Sequence, residues 1–289
     1  MKEIDTIADH YYVQKTGQGK SIIFLPAGGF SGNEGLNIAE YLGCGYETHM
    51  IDLPGFGRSK GIEGTATPLE MAKWVKGYLD QEGIETVILI GHSMGGAILL
   101  NFAVHYPERV NRLILLDQGH KRFPRVPVSE FGAFAYVFPF LNVCVRLFGR
   151  HLLKRVERLF SMEDDPESKN FDEEAEQFCQ RFSIPDTTYV RTALKSQPMF
   201  SVEALNLMFG YYNLNLPGLL GQVEAPVYLV YGTFEGIDKK EFISTRKAIR
   251  KMKRKTDSVI YRSLNSGHYV HWSNSFDLDE LKVFLDSSH

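Results

Sequence analysis

The sequence predicts an α/β fold, a doubly wound and mostly parallel sheet interrupted by a block of helices. Three observations carry this expectation. Strand and helix signals alternate between residues 10 and 117 and return near residue 226. The runs "TVILIG", "RLILLD" and "APVYLVYG" are apolar at nearly every position, as strands buried on both faces must be. Residues 118 to about 222 hold no such run, only helical stretches. Alternation at these lengths builds crossover units on a parallel sheet.

The elements follow in order. "YYVQKT" and "SIIFLP" read as strands split by the turn "GQGK", expected to pair antiparallel at the sheet's edge. "ETHMID" is a short strand ended by "LPGFGRS". "PLEMAKWVKGYLDQEG" is a helix: Pro68 suits a first turn, Leu69, Ala72, Val75 and Leu79 recur at helical spacing, and Gly83 offers a stop. The strand "TVILIG", the helix "AILLNFAVHYP" closed by Pro107, and the strand "RLILLD" complete this half. The block after residue 117 carries helical stretches at 131–160, 172–182 and 200–212. Its charge is segregated into a basic "RLFGRHLLKRVERLF" and an acidic "MEDDPESKNFDEEAEQF", which read as solvated helix faces. Beyond it come "APVYLVYG", a helix over about 240–252, the strand "SVIYRSL" and a last helix "FDLDELKVFLDSS". No internal repeat breaks this order, so one α/β core (1–117 and 223–289) interrupted by residues 118–222 is expected.

Bulk properties narrow the partners. A chain of 289 residues with 44% hydrophobic and 23% charged residues can bury a core without a metal or disulfide staple. The formal net charge of −3 offers no field to gather nucleic acid or an anionic membrane. Cys44, Cys144 and Cys179 lie far apart with no CxxC pair, which suits a reducing compartment and argues against structural zinc. "MKEIDTIADHYYVQKTGQGK" has no apolar stretch of the secretory kind, and a cytoplasmic protein is expected. The most lipid-like run, Phe131 to Gly149, is broken by Pro139 and Arg146 and reads as a buried or pocket-lining helix, with no stable membrane insertion.

The chemistry concentrates in "VILIGHSMGGAILL", Val87 to Leu100. A GxSxG pattern flanked by a buried strand and an apolar helix forces an abrupt reversal that leaves the serine hydroxyl, Ser93, projecting from the sheet's carboxyl edge. Gly91 and Gly95 remove Cβ clashes there, and the helix dipole behind Ser93 favours developing negative charge. A serine needs a base. Of nine histidines, only His268 and His271 follow a late strand, in "YRSLNSGHYVHWSNS"; Gly267 frees the loop to aim His268 back, so His268 is the expected base and His271 the second choice. His92 is adjacent to Ser93 but faces another direction around a tight turn, and a packing or supporting role is expected for it. The base needs a carboxylate, and three sit after strand ends: Glu235, Asp238 and Asp117. Glu235 is preferred, because it follows Gly232 by three residues. The N–H of Met94 and one from Gly29 or Phe30 in "LPAGGFSG" are the expected oxyanion donors. That loop lacks GxGxxG and GK[ST] spacing, so no phosphate cradle or cofactor is expected.

Together, "FLPAGGFSG", "IDLPGFGRS", "VILIGHSMGGAILL", "YPERVNRLILLD", "PVYLVYGTFE" and "SGHYVHW", in this order, resemble the α/β-hydrolase fold family over nearly all of the chain outside the helical block. The resemblance implies the order Ser93, Glu235, His268 for nucleophile, acid and base, and a helical cap, residues 118–222, inserted after the sixth strand. Two departures stand out. The family's usual His-Gly pair in the oxyanion loop is replaced by Pro26-Ala27-Gly28-Gly29, and the acid position carries glutamate, while some relatives place the acid one strand earlier, at Asp117. Relatives with aspartate at the elbow carry out alkyl substitution. A serine there implies acyl transfer, so the expected function is a cofactor-independent serine hydrolase cleaving a small-molecule carboxylic ester or related acyl compound. The same triad also serves amide, peptide or carbon–carbon bond hydrolysis and acyl transfer, and a non-catalytic binding protein on this scaffold is the remaining class. Aromatic residues in the block (Phe131, Phe134, Tyr136, Phe138, Phe140, Phe200, Phe209, Tyr211, Tyr212) point either to an apolar substrate body or to the block's own core.

Overall fold

The computed structural model describes residues 10–122, 134–148, 152–153, 170–197 and 201–287. Six strands, β1 (Val13–Leu25), β2 (Cys44–Ile51), β3 (Val87–His92), β4 (Val110–Leu116), β5 (Val227–Gly232) and β6 (Val259–Leu264), form one sheet in the order β2-β1-β3-β4-β5-β6. The pairs from β1–β3 through β5–β6 are parallel. Their inward residues alternate as a pleated strand requires. Ile23, Leu25, Leu89, Leu113, Leu115 and Leu229 face one layer with α2 (Pro68–Gln81) and α3 (Ser93–His105). Ile22, Phe24, Ile88, Ile90, Ile114 and Val230 face the other, with α1 (Leu36–Leu42) and α10 (Leu278–Asp286). Each such fully buried side chain stabilises the fold by about 1.5–3 kcal/mol.

The amino-terminal edge corrects one expectation. The two strands flanking "GQGK" do not pair with each other. Val13–Gly17 run antiparallel to β2, from Val13↔Ile51 to Gly17↔Glu47. From Gly19↔Gly45 to Phe24↔Met50 the partner numbers climb together, so Met50 has Gln14 on one side and Phe24 on the other. β2 therefore lies between two arms of β1. The chain must step across two strand spacings, about 10 Å, and it does so on Gly17 (φ +88) and Gly19 (φ +123). A Cβ at Gly17 would sit 2.2 Å from the carbonyl oxygen of Tyr46.

α2 begins as its sequence predicts, with Pro68 in the first turn and Thr67 Oγ1 accepting the Glu70 N–H. Its buried face differs: Leu69 is 44% exposed and Met71 takes its place beside Ala72, Val75, Tyr78 and Leu79. The helical block follows β4, the fourth strand and not the expected sixth, and contains α4 (Phe134–Phe148), α5 (Phe171–Phe182), α6 (Thr188–Lys195), α7 (Val202–Tyr212) and α8 (Leu216–Leu220) among the described residues. Apart from Leu152 and Leu153, the rest of the expected 131–160 helix lies outside them, as do most of the basic run and the start of the acidic one. α6 was not legible as a helix in the sequence. Phe138 stacks on Phe209 with centroids 4.5 Å apart, and both are buried with Tyr211 in one core continuous with α2, α3 and the sheet, so these aromatics serve as core. Tyr136 and Phe140 are exposed instead; Phe131, Phe200 and the side chain of Phe134 lie outside the described residues. α9 (Lys239–Met252) returns the chain to the sheet. Among the described residues no helix is long and apolar enough to cross a membrane. Cys44, Cys144 and Cys179 are all free.

Candidate active site

β3 ends at His92 and α3 starts at Ser93, with no residue between them. Ser93 takes up the reversal in the left-handed region, φ 48, which costs a non-glycine residue about 1–2 kcal/mol. Glycines make room for it. A Cβ on Gly95 would lie 2.3 Å from the Leu25 carbonyl oxygen, and one on Gly91 would lie 2.6 Å from Gly96 N. The Gly95 N–H donates to Pro26 O at 2.9 Å, so the elbow is tied to the loop after β1. Gln118 Nε2 donates both to Ser93 O (2.9 Å) and to the Tyr211 hydroxyl (2.8 Å), holding the strained carbonyl from α7's side. Ser93 is only partly buried, and its hydroxyl makes no hydrogen bond among the described residues.

His268 reaches the carboxyl edge of the sheet from the loop after β6. Its Nδ1 donates to Asp117 Oδ2 at 2.6 Å, and its ring lies 4.6 Å from that of His92, the residue before Ser93. Asp117 is itself held in a left-handed conformation, φ 47, with Oδ1 accepting the Gly232 N–H at 3.2 Å and its own N–H donating to Val230 O. Burial alone would raise its pKa. The hydrogen bond and charge of His268, with His120 and Lys121 behind it, hold it below the ordinary 3.8. The carboxylate at the histidine is therefore Asp117 and not Glu235, a correction with a clear backbone cause. After Gly232 the chain turns away through Phe234 (φ 60) and Gly236 (φ 77), leaving Glu235 exposed. Asp238 caps α9, accepting the N–H groups of Lys240 and Glu241. His271, the second choice as base, is sealed in a 3-10 turn with its Nε2 3.8 Å from Glu34.

The loop after β1 corrects a second expectation. The Phe30 N–H donates to Ala27 O at 3.2 Å, closing a turn, so it is not free to receive an oxyanion. Gly28 packs on the Met94 side chain, where a Cβ would sit 2.8 Å from Met94 Cε, and Gly29 has φ +90. Gly28 and Gly29 are thus the loop's available donors beside Met94, whose N–H lies in the first turn of α3 with no intrahelical acceptor.

Comparison against known proteins bears on the fold. A family model described as the alpha/beta hydrolase fold matches residues 20–275. The chain belongs to the α/β-hydrolase fold family. Among curated relatives, a 2-hydroxy-6-oxo-6-phenylhexa-2,4-dienoate hydrolase of Comamonas testosteroni is 39% identical over 124 residues, covering 41% of this chain and 42% of the relative. Its counterpart from Burkholderia cepacia is 40% identical over 114 residues, 37% and 40% of the two chains. The match thus spans about two-fifths of these relatives' length. Among solved structures, the enol-lactonase from Burkholderia xenovorans LB400 superposes with a TM-score of 0.63 at 16% identity, over 96% of both chains.

Two features of this α/β hydrolase escaped the sequence. One is Glu34, whose side chain is fully buried against His92. The only signal was an acid set among small and apolar residues in "GFSGNEGLNIAEYL". Among the described residues, Glu34, His92 and His271 are the one group of three or more His, Cys, Asp or Glu residues whose ligand atoms all lie within 4.8 Å of one another. Both nitrogens of His92 already face oxygens, at 2.7 Å and 3.0 Å, so His92 offers a metal no lone pair. The second is His120, buried behind Asp117, where burial pushes its pKa from 6.5 to about 4 against the opposing charge of Asp117. Between those two values the unfolded chain binds a proton that the folded chain refuses. Stability from this group is complete above 6.5 and is lost as pH falls toward 4, by on the order of 3 kcal/mol in all. Urea midpoints measured from pH 7 to 4.5 should fall, and fall less steeply in His120→Asn; parallel curves would remove His120 as the cause. Separately, a cavity of about 900 Å³ opens between the Gly55–Gly61 loop and the end of α6, lined by Arg58, Lys60 and Lys195; neither Ser93 nor His268 lines it.

Proposed function

We propose that this α/β hydrolase cleaves a carboxylic ester or related acyl compound through an acyl-enzyme on Ser93. The observation that carries the reading is the 2.6 Å hydrogen bond from His268 to the buried Asp117, with the His268 ring 4.6 Å from that of His92, the residue before a serine held at positive φ. In this mechanism His268 Nε2 takes the proton of Ser93 Oγ as that oxygen adds to the substrate's carbonyl carbon. The oxyanion receives the N–H groups of Met94 and of Gly28 or Gly29. The imidazolium then protonates the departing alcohol as the C–O bond breaks. Water repeats the sequence on the acyl-enzyme, releasing the acid and restoring Ser93. Asp117 stays ionised throughout, fixing the Nδ1–H tautomer, and replaces Glu235 as the proposed acid. Residues 118–222 act as a cap over a core of 1–117 and 223–289. In support, α7 is fastened to the site's rim by Tyr211 at Gln118 and by Ser201 Oγ donating to Gly55 O at 2.7 Å. The free cysteines favour a reducing, cytoplasmic setting.

A second reading is favoured by the dienoate hydrolases among the relatives: the same triad cleaving a carbon–carbon bond. A carbon leaving group departs only if a conjugated carbonyl accepts its electron pair, which a 2-hydroxydienoate supplies once its enol becomes a ketone. A turnover screen decides between them, comparing wild type with Ser93→Ala on esters of varied acyl length, amides and vinylogous diketones. Turnover of one class, absent in Ser93→Ala, is expected. Equal turnover in the two proteins would move the nucleophile elsewhere, and a folded wild type that neither turns over any of these nor labels with a fluorophosphonate would leave a binding protein.

A further inference from the structure

We infer that Glu34 and His92 form a buried ion pair that positions both the oxyanion loop and the base loop around Ser93. The inference deepens the triad reading above and rests on it. Four contacts define the pair. Glu34 Oε1 lies 2.7 Å from His92 Nδ1, and both side chains are completely buried. Glu34 Oε2 accepts the Ala27 N–H at 2.6 Å, at the start of the loop that carries Gly28 and Gly29. His92 Nε2 lies 3.0 Å from the carbonyl oxygen of His268. His92 is itself joined by a peptide bond to Ser93. The nucleophile, the start of the oxyanion loop and the backbone of the base are thus each joined by one peptide bond or one hydrogen bond to the same two residues.

The protonation state follows from the partners. A carboxylate and a peptide carbonyl can only accept, so a ring that contacts one with each nitrogen must carry a proton on both. His92 is then an imidazolium. Burial alone would strip that proton, but the charge and hydrogen bond of Glu34, with the His268 carbonyl and Asp117, outweigh it and the pKa is raised. The groups facing the ring are Glu34 from the 3-10 turn Gly32–Gly35, Asp117 at the end of β4, and His268, Tyr269 and His271 from the loop after β6. His271, 4.7 Å away, is kept neutral by its own burial and by the charge on His92. A neutral core would fill this space without desolvating two charges. What the pair supplies in return is geometry at the reacting atoms, where a misplacement of about 1 Å costs roughly 100-fold in rate.

The test uses the whole protein labelled with ¹⁵N-histidine. At neutral pH the ring of His92, assigned by its loss in His92→Gln, should show protons on both nitrogens; one bare nitrogen would overturn the pair. Glu34→Gln is the second arm. An amide can satisfy Ala27 and His92 only if His92 gives up its Nδ1 proton, so the charge goes and each charge-assisted contact becomes a neutral hydrogen bond about half as strong, which holds both loops more loosely. The spectrum should then show a neutral His92, with kcat about 10- to 100-fold lower and KM within about threefold. A kcat within about twofold of wild type would reject the positioning role. Should Glu34→Gln fail to fold, the wild-type spectrum decides alone. The spectrum of Ser93→Ala should keep the doubly protonated signal, so a failure of the pair and a failure of the triad are read separately.

Discussion

Asp117→Asn is expected to lower kcat by about 10⁴-fold, while Glu235→Gln leaves it within about twofold. The asymmetry comes from counting acceptors. Asp117 accepts on both oxygens, Oδ1 from Gly232 N–H and Oδ2 from His268 Nδ1–H. An asparagine has one oxygen, and if the rigid backbone donor at the end of β5 keeps it, the amide NH₂ faces His268. The ring then adopts the other tautomer, with the proton on Nε2, where it is unable to receive one from Ser93. Packing is nearly unchanged, so the loss should appear in kcat and in the rate of fluorophosphonate labelling with little change in melting temperature. Glu235 is exposed, and its backbone N–H reaches only Thr233 Oγ1 at 3.4 Å. A larger loss from Glu235→Gln than from Asp117→Asn would return the acid role to the later loop.

Ser93→Ala should abolish both turnover and labelling, a loss on the order of 10⁶-fold in kcat if the three groups act as a unit. The fold should survive it. Alanine keeps the Cβ that already sits at φ 48, and the Ser93 hydroxyl makes no hydrogen bond among the described residues. The backbone contact that fixes the turn, Gln118 Nε2 to Ser93 O, does not involve the side chain. Residual labelling at another residue in Ser93→Ala, or turnover within tenfold of wild type, would move the nucleophile elsewhere.

The fold was legible because its signals are local. Continuous apolar runs marked β3, β4 and β5, and the strand-to-helix switch at Ser93 was written in consecutive residues from Val87 to Leu100. The contacts at the candidate site were legible only in part. Asp117 and Glu235 both follow strand ends, and nothing in either neighbourhood announces which loop turns inward. That choice is made by Phe234 and Gly236 in left-handed conformations and by Asp238 being drawn into an N-cap, each a consequence of three-dimensional closure. Glu34 was missed for a related reason. An acid near the start of a helix is ordinarily a surface residue, and the arrival of His92 from 58 positions away, with the Ala27 N–H, makes burial tolerable. The misplaced Leu69 is a smaller error of the same kind: Ala72, Val75 and Leu79 share the buried face as their spacing predicts, and only the first-turn residue lies off it.

The course of β1 around β2 bears on how the chain assembles. Val13–Gly17 has no lateral partner until Glu47–Ile51 has been made, and the slot those residues enter is bounded on both sides by the same segment. Closing that slot is a non-local event of the sort that slows folding. Until it closes, the arm is a bare ribbon margin, and the polypeptide is most open to sticking to its neighbours there. Substitutions near Gly17 and Gly19 should therefore be felt first as poor yield from the ribosome, with whatever protein does mature retaining its chemistry.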